Sequence, residues 1–371
     1  MLDWHYSRTA LARAYLQRLA TGISSALTLF APEGYGKSEF LLRDLAPCAE
    51  AQGERVVYVS MRFARNEPLA ALLAALAEAR DPQSVAERVK AMLASPLKPL
   101  DWEAAMGAWG ALRARPGRGD VKCSQAPGDL LRIRSDLDRL TRKAGSGRAV
   151  VLLDEVQYLA RPQSEDLVAA LRTALDVMKQ SVKVVYTGSS RAGLQRLFER
   201  IQAPLYRSSQ IADFPELDEG FVKFMLASAR RATHRALDPK AAWEGFQVVA
   251  KSPRLFRRAI ETVILYRCED IVGVCRKLAG HAEHGARYED TWRSYPHIDR
   301  AILRRVVLKQ PLFAASARQG YAARIGAARL SPRRIQARVA RLVEAEVLLN
   351  PGRGQYEVED PGFADWIRKQ R

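Results

Sequence analysis

The chain has 371 residues, 48% of them apolar, and carries 59 Lys and Arg against 41 Asp and Glu, a formal net charge of +18. Length and apolar fraction support a large core and two or three domains and exclude a disordered tail, while the charge suits a polyanionic partner or an acidic protein surface. Cys48, Cys123, Cys268 and Cys275 lack zinc-site spacing, with only His281 and His284 nearby, so no structural zinc is expected. No charged leader precedes an apolar stretch and no apolar run has the length of a membrane helix, so the expectation is a soluble, cytoplasmic protein with no membrane partner.

Ser7 to Ala20 repeats apolar residues at helical spacing, with Leu11, Tyr15 and Leu19 on one face. Ala26-Leu27-Thr28-Leu29-Phe30 then reads as a short buried strand. It runs into Ala31-Pro32-Glu33-Gly34-Tyr35-Gly36-Lys37-Ser38, which has Walker A spacing with Ala31 where glycine is more usual. Glu39-Phe40-Leu41-Leu42 opens a helix. Strand, glycine-rich turn and helix start, in that order, aim successive backbone N–H groups at one point, a positively polarised cradle for the β- and γ-phosphates of ATP. The candidate nucleotide-binding set is Gly34, Gly36, Lys37, Ser38 and Glu39, with the Lys37 ammonium spanning the phosphates and the Ser38 hydroxyl ligating Mg²⁺.

Arg55 to Ser60 is expected to be a second core strand and Leu69 to Ala79 the helix after it. From Ala94 to Gly147 the pattern weakens under Pro96, Pro99, Pro116, Gly117 and Gly119. The expectation there is an excursion of helix and Arg/Gly-rich loop, either simply solvated or touching DNA or a neighbouring subunit. Arg148 to Glu155 restores the strand pattern, an apolar run ending in Asp154-Glu155, which is the Walker B arrangement. Asp154 would act on the metal through its hydration shell, and Glu155 would orient and activate the water attacking the γ-phosphate. Lys183 to Thr187 is a further strand leading into Gly188-Ser189-Ser190, where Thr187 or Ser189 could touch the γ-phosphate or that water.

Arg196 to Arg207 reads as a basic helix and loop whose Arg200 and Arg207 could serve a nucleotide in trans. Glu216 to Gly280 is mostly helical. Within it Lys251-Ser252-Pro253-Arg254 starts a helix capped by Ser252, so Arg254 projects from a positive dipole end where a nucleotide phosphate would stabilise it. Beyond Ile298, Lys and Arg outnumber Asp and Glu about two to one. Helices are expected over Ile298 to Leu308, over Ser316 to Ile325, and from Ser331-Pro332 to Glu346, followed by two strands around a turn containing Arg353. In the third helix Ile335, Val339, Leu342 and Val343 form the buried stripe, with Arg333, Arg334, Arg338 and Arg341 outside it. Three helices and a hairpin is the winged-helix layout. Its third helix would enter the major groove of double-stranded DNA with Arg353 on the wing; the same layout also docks proteins.

Together these residues resemble the AAA-type ATPases of the archaeal ATPase and STAND groups, relatives of the origin-recognition ATPases, over nearly the whole chain. The resemblance rests on APEGYGKS at 31–38, VVLLDE at 150–155, VYTGSS at 185–190, LQRLFERIQAPLYR at 194–207, Ser252-Pro253-Arg254, and the terminal stretch Tyr356 to Trp366. It implies an α/β fold: a P-loop NTPase (AAA-type) three-layer domain at 1–215 with the excursion inserted at about 94–147, a helical lid at 216–290, and a winged helix-turn-helix domain at 291–371. It further implies ATP and Mg²⁺ between the α/β domain and the lid, Thr187 at the sensor-one position, Arg254 at the sensor-two position, and Arg207 reaching a neighbouring subunit's γ-phosphate, hence self-association in the ATP state. The expected function is an ATP-hydrolysing switch acting with double-stranded DNA, slow or partner-stimulated. The alternative is a regulatory ATPase whose winged helix docks a protein partner. A metabolic kinase falls behind, because it would leave both the Lys-Ser-Pro-Arg signature and the C-terminal pattern without a role.

Overall fold

Short apolar runs bounded by turns form a five-stranded sheet in the order β2-β3-β4-β1-β5, made of β1 (Ala26–Phe30), β2 (Arg55–Ser60), β3 (Ala149–Asp154), β4 (Val182–Gly188) and β5 (Ile211–Asp213). Every pairing is parallel. The computed structural model describes residues 3–80, 127–280, 283–324, 326, 330–345, 347–352 and 354–370. The sheet belongs to the first of two units, Met1–Ser228 and Ala229–Arg371.

Every residue of β3 and β4 is buried, as parallel strands covered on both faces require. Their period-two alternation divides the side chains between two cores. Val151, Leu153, Val184 and Tyr186 pack with α4 (Pro68–Glu78), α5 (Pro127–Arg142), α6 (Glu165–Val177) and α7 (Arg191–Phe198). Val150, Leu152, Val185, Leu27 and Leu29 pack on the other face with α1 (Thr9–Ala20) and with the helical run of α2 (Lys37–Phe40), a π-helical turn (Leu41–Leu45) and α3 (Ala46–Glu50). The result is three layers. The buried face of α1 is centred on Ala12, Leu16 and Leu19, with Leu11 and Tyr15 half-buried at its edge. Inside the expected excursion, α5 buries Ile133, Leu137 and Leu140 at helical spacing. The Arg/Gly-rich turn around Arg115 lies outside the described residues.

In the second unit α9 (Pro239–Val248), α10 (Pro253–Leu265) and α11 (Ile271–Gly280) follow α8 (Glu219–Thr233). Phe246 of α9 meets Phe256 of α10 edge-on with ring centroids 5.1 Å apart. A separate core gathers α12 (Glu283–Ser294), α13 (His297–Val307), α14 (Ala315–Arg324), α15 (Pro332–Glu344), the antiparallel hairpin β6 (Leu348–Gly352) and β7 (Gln355–Val358), and α16 (Pro361–Lys369). Tyr288 and Trp292 of α12 meet Phe363 of α16 in that core, so the expected boundary at 290 falls within a helix that packs with the C-terminal elements.

Candidate active site

Strand register brings the motifs together. Phe30 lies opposite Gly188, Leu153 opposite Tyr186 and Ser60 opposite Asp154, so the Walker A turn, the Walker B carboxylates and Thr187 leave the same edge of the sheet. Gly34 and Gly36 have φ of 82° and 79°. A Cβ at Gly36 would meet nothing within 4 Å, so the left-handed backbone rather than space demands glycine there. Ala31 is buried, and its carbonyl accepts from the Lys37 Nζ at 2.7 Å, with the Pro32 carbonyl accepting at 3.1 Å. The same Nζ lies 3.4 Å from Glu155 Oε1.

Asp154 is almost completely enclosed. Its Oδ2 accepts from Ser38 Oγ at 2.5 Å and from the Tyr58 hydroxyl at 2.9 Å, and its Oδ1 accepts from Thr187 Oγ1. Thr187 in turn accepts from the Glu155 backbone N–H at 3.2 Å. Glu155 sits at φ 54°, a left-handed bend that ends the strand. Its Oε2 accepts from Ser189 Oγ at 2.5 Å, Ser189 N at 3.2 Å and Gln157 Nε2 at 2.5 Å.

Burial, and then the charge of Glu155, push the Asp154 pKa up against the hydrogen bonds from Ser38 and Thr187. Burial also works to raise Glu155, but the Lys37 charge and the donors Ser189 and Gln157 outweigh it and hold Glu155 below the ordinary carboxylate value. Burial and the Asp154 charge keep the Tyr58 hydroxyl protonated, hence a permanent donor. Two carboxylates against one ammonium leave a buried site that a dication would relieve. Among the described residues no group of three or more His, Cys, Asp or Glu could hold a metal by itself. Ser38 Oγ and Asp154 Oδ2, 2.5 Å apart, are a hydroxyl and carboxylate oxygen of the kind that would hold Mg²⁺.

The remaining candidates fall elsewhere. The Glu39 carboxylate is engaged elsewhere, 3.1 Å from His5 Nδ1 and 3.6 Å from Arg43 Nη1. Thr187 is fully buried, its hydroxyl donating to the Asp154 carboxylate and accepting from the Glu155 backbone N–H. Arg207 is exposed at φ 53° with its guanidinium 5.1 Å from the Tyr206 ring centroid. Arg254 occupies the first turn of α10, in the second unit, where Ser252 Oγ accepts from Leu255 N at 3.4 Å. On α15, Arg333, Arg334 and Arg341 are exposed, whereas Arg338 Nη1 lies 3.3 Å from Asp299 Oδ2 of α13. Arg353 lies outside the described residues. Sequence reasoning missed Tyr58 and Gln157; a phenol among the valines of β2 and a glutamine two residues past the Walker B glutamate were the available signals.

No protein-family model matches the chain, and no curated protein matches it. Among solved structures it is similar to the Walker-type ATPase of Pyrococcus abyssi, with a TM-score of 0.50 and 17% identity over 99% of this chain and 96% of that one. It is also similar to the ORC2 protein of Aeropyrum pernix in its ADP form, with a TM-score of 0.49 and 17% identity over 97% and 92%, and to the ORC1 protein of the same organism in complex with DNA, with a TM-score of 0.46 and 19% identity over 98% and 92%. The likeness to the Pyrococcus protein is one of fold: a first unit built on a parallel five-stranded α/β sheet, followed in the chain by a mostly helical second unit. Among the described residues no helix is long and apolar enough to cross a membrane.

Proposed function

We propose that this chain binds and hydrolyses ATP and works as a switch with double-stranded DNA, the C-terminal helices and hairpin serving as a winged helix. The observation that carries the ATPase half is the single hydrogen-bonded cluster of Lys37, Ser38, Asp154 and Glu155 at the strand ends. It supplies a cation for phosphate oxygens, a hydroxyl and carboxylate for Mg²⁺, and a second carboxylate held as an anion beside them. When bound, Mg²⁺ would neutralise charge on the β- and γ-oxygens. Glu155 would take the proton of the attacking water, and Lys37 would move from the Ala31 and Pro32 carbonyls onto the phosphates. Arg207, exposed on its turn, is proposed to act on a neighbouring copy's nucleotide, and Arg254 on nucleotide closure. For the DNA half, support comes from the three exposed arginines of α15 and the surplus of basic residues after Ile298.

The test is ATP binding and steady-state turnover, with and without duplex DNA, for the wild type, Lys37→Ala and Glu155→Gln. Removing the buried cation should weaken ATP binding by roughly 100- to 1,000-fold, the equivalent of about 3–4 kcal/mol. Glu155→Gln should keep ATP affinity and lose about 100-fold or more in kcat, because an amide still bonds water but cannot accept its proton. Wild-type ATP affinity in Lys37→Ala would overturn the nucleotide assignment.

A further inference from the structure

We infer that Gln157 is a positioning residue for ATP hydrolysis, which with Ser189 clamps one oxygen of the Glu155 carboxylate and leaves the other for the attacking water. The inference rests on the ATPase reading and deepens it. Three donors converge on Glu155 Oε2: Ser189 Oγ at 2.5 Å, Ser189 N at 3.2 Å and Gln157 Nε2 at 2.5 Å. Gln157 Nε2 also donates to Ser189 Oγ at 3.1 Å, so amide, hydroxyl and carboxylate close a ring of hydrogen bonds. Oε1 is left facing the Walker A lysine, 3.4 Å from its Nζ. A base that must meet a water at one point works best when a third group fixes its rotation, and this ring fixes it from the side away from Lys37.

The neighbouring backbone passes close to Gln157. A Cβ on Gly193, in the first turn of α7, would lie 2.5 Å from Gln157 Cβ, and one on Gly188, at the end of β4, would lie 2.6 Å from Leu194 Cδ2 and 2.9 Å from Gln157 Oε1. Gln157 thus packs directly against backbone at Gly193 and, with Leu194, at Gly188. Gln157 is 8% exposed, and its Oε1 is buried with no hydrogen-bond partner. A residue present only to fill the space would not bury an unsatisfied acceptor; the donor end is what the site uses.

The experiment compares full-length wild type with Gln157→Met, which keeps length and removes the donors, and with Ser189→Ala and Ser189→Thr, using Mg²⁺ and ATP with and without duplex DNA. Gln157→Met and Ser189→Ala should each lower kcat by about tenfold or more with KM and ATP affinity within about twofold, while Ser189→Thr, which keeps the hydroxyl, retains most of the activity. Added to Glu155→Gln, neither substitution should lower single-turnover hydrolysis further, since the group they position is already gone. A kcat within twofold of wild type in both single variants overturns the inference, as does a further loss in the Glu155→Gln background. A wild type that never hydrolyses ATP sinks the ATPase reading itself. Wild-type turnover with an unimpaired Gln157→Met and Ser189→Ala sinks only the positioning role.

Discussion

His5 places Nδ1 3.1 Å from Glu39 Oε1 and Nε2 3.1 Å from Asp44 Oδ1, on the helical run after the Walker A turn. Asp44 Oδ1 also accepts from Ser7 Oγ at 3.0 Å and Arg8 N at 2.9 Å, and the Arg8 guanidinium lies 4.4 Å from the Phe214 ring centroid, so residues 5–8 are strapped across that run. Burial works to lower the His5 pKa, but the hydrogen bonds to Asp44 and Glu39 outweigh it and raise it from 6.5 to about 9. A folded-state pKa above the unfolded one stabilises fully below about pH 6.5, and that stability is lost as pH rises through about 9. The urea-midpoint gap between wild type and His5→Ala should therefore be widest near pH 6, up to about 3 kcal/mol, and close by about pH 10. A gap that stays constant over that range would mean that folding leaves the pKa of the ring where it is. At this scale the sequence is legible where a motif is contiguous: Lys37, Ser38, Asp154 and Glu155 stand together as their spacing implies. It is illegible where a partner comes from a distant segment, as Tyr58 does to Asp154 and His5 to Asp44, because no local pattern encodes that approach.

Helix α15 shows how an element redistributes residues that look equivalent in sequence. Ile335, Val339 and Leu342 are buried as their spacing predicts, and Ser331 Oγ accepts from Arg334 N at 3.3 Å as an N-cap. Ser331→Ala should cost about 1 kcal/mol in thermal or urea unfolding. Arg338, expected beside its neighbours on the DNA flank, instead pairs with Asp299, a carboxylate only 7% exposed whose pKa burial raises against the pull of Arg338 and Arg341. Arg338→Ala strands that carboxylate and should destabilise by roughly 1–3 kcal/mol, whereas Arg334→Ala should stay within about 0.5 kcal/mol of wild type. Equal stability of the two variants would mean that the ion pair contributes nothing. The strands were legible to within a residue because continuous apolar runs between turns have few other uses. Helix α5 was not, since Arg and Asp crowd its exposed face and dilute a stripe of Ile133, Leu137 and Leu140. Three-residue β5 is too short to carry a period.

For the whole chain, the net charge of +18 and the exposed arginines of α15 bear on long-range attraction rather than on fold. Full-length Arg333→Ala/Arg334→Ala/Arg341→Ala should keep its unfolding midpoint and its ATP affinity while losing duplex affinity. Its plot of log affinity against log salt should be shallower by about one unit for each phosphate contact removed. Identical slopes for wild type and variant would take α15 out of the DNA contact. Absence of duplex binding by the wild type at any salt would favour the protein-docking alternative for the same helices.

The strand order also sets a timetable. The Walker A strand β1 finds its neighbours only in β4 and β5, with Phe30 opposite Gly188 and Asp213, while β2 and β3 pair with each other earlier in the chain. At synthesis rates of about 5–20 residues per second, the stretch from Phe30 to Gly188 takes roughly 8 to 30 s to leave the ribosome. During that interval the apolar β1 has no ladder to join, and the turn that would cradle phosphate has no Asp154–Thr187 floor against it. A nucleotide would then find the site complete only once β4 has been inserted between β3 and β1, rewarding the finished sheet rather than guiding its assembly.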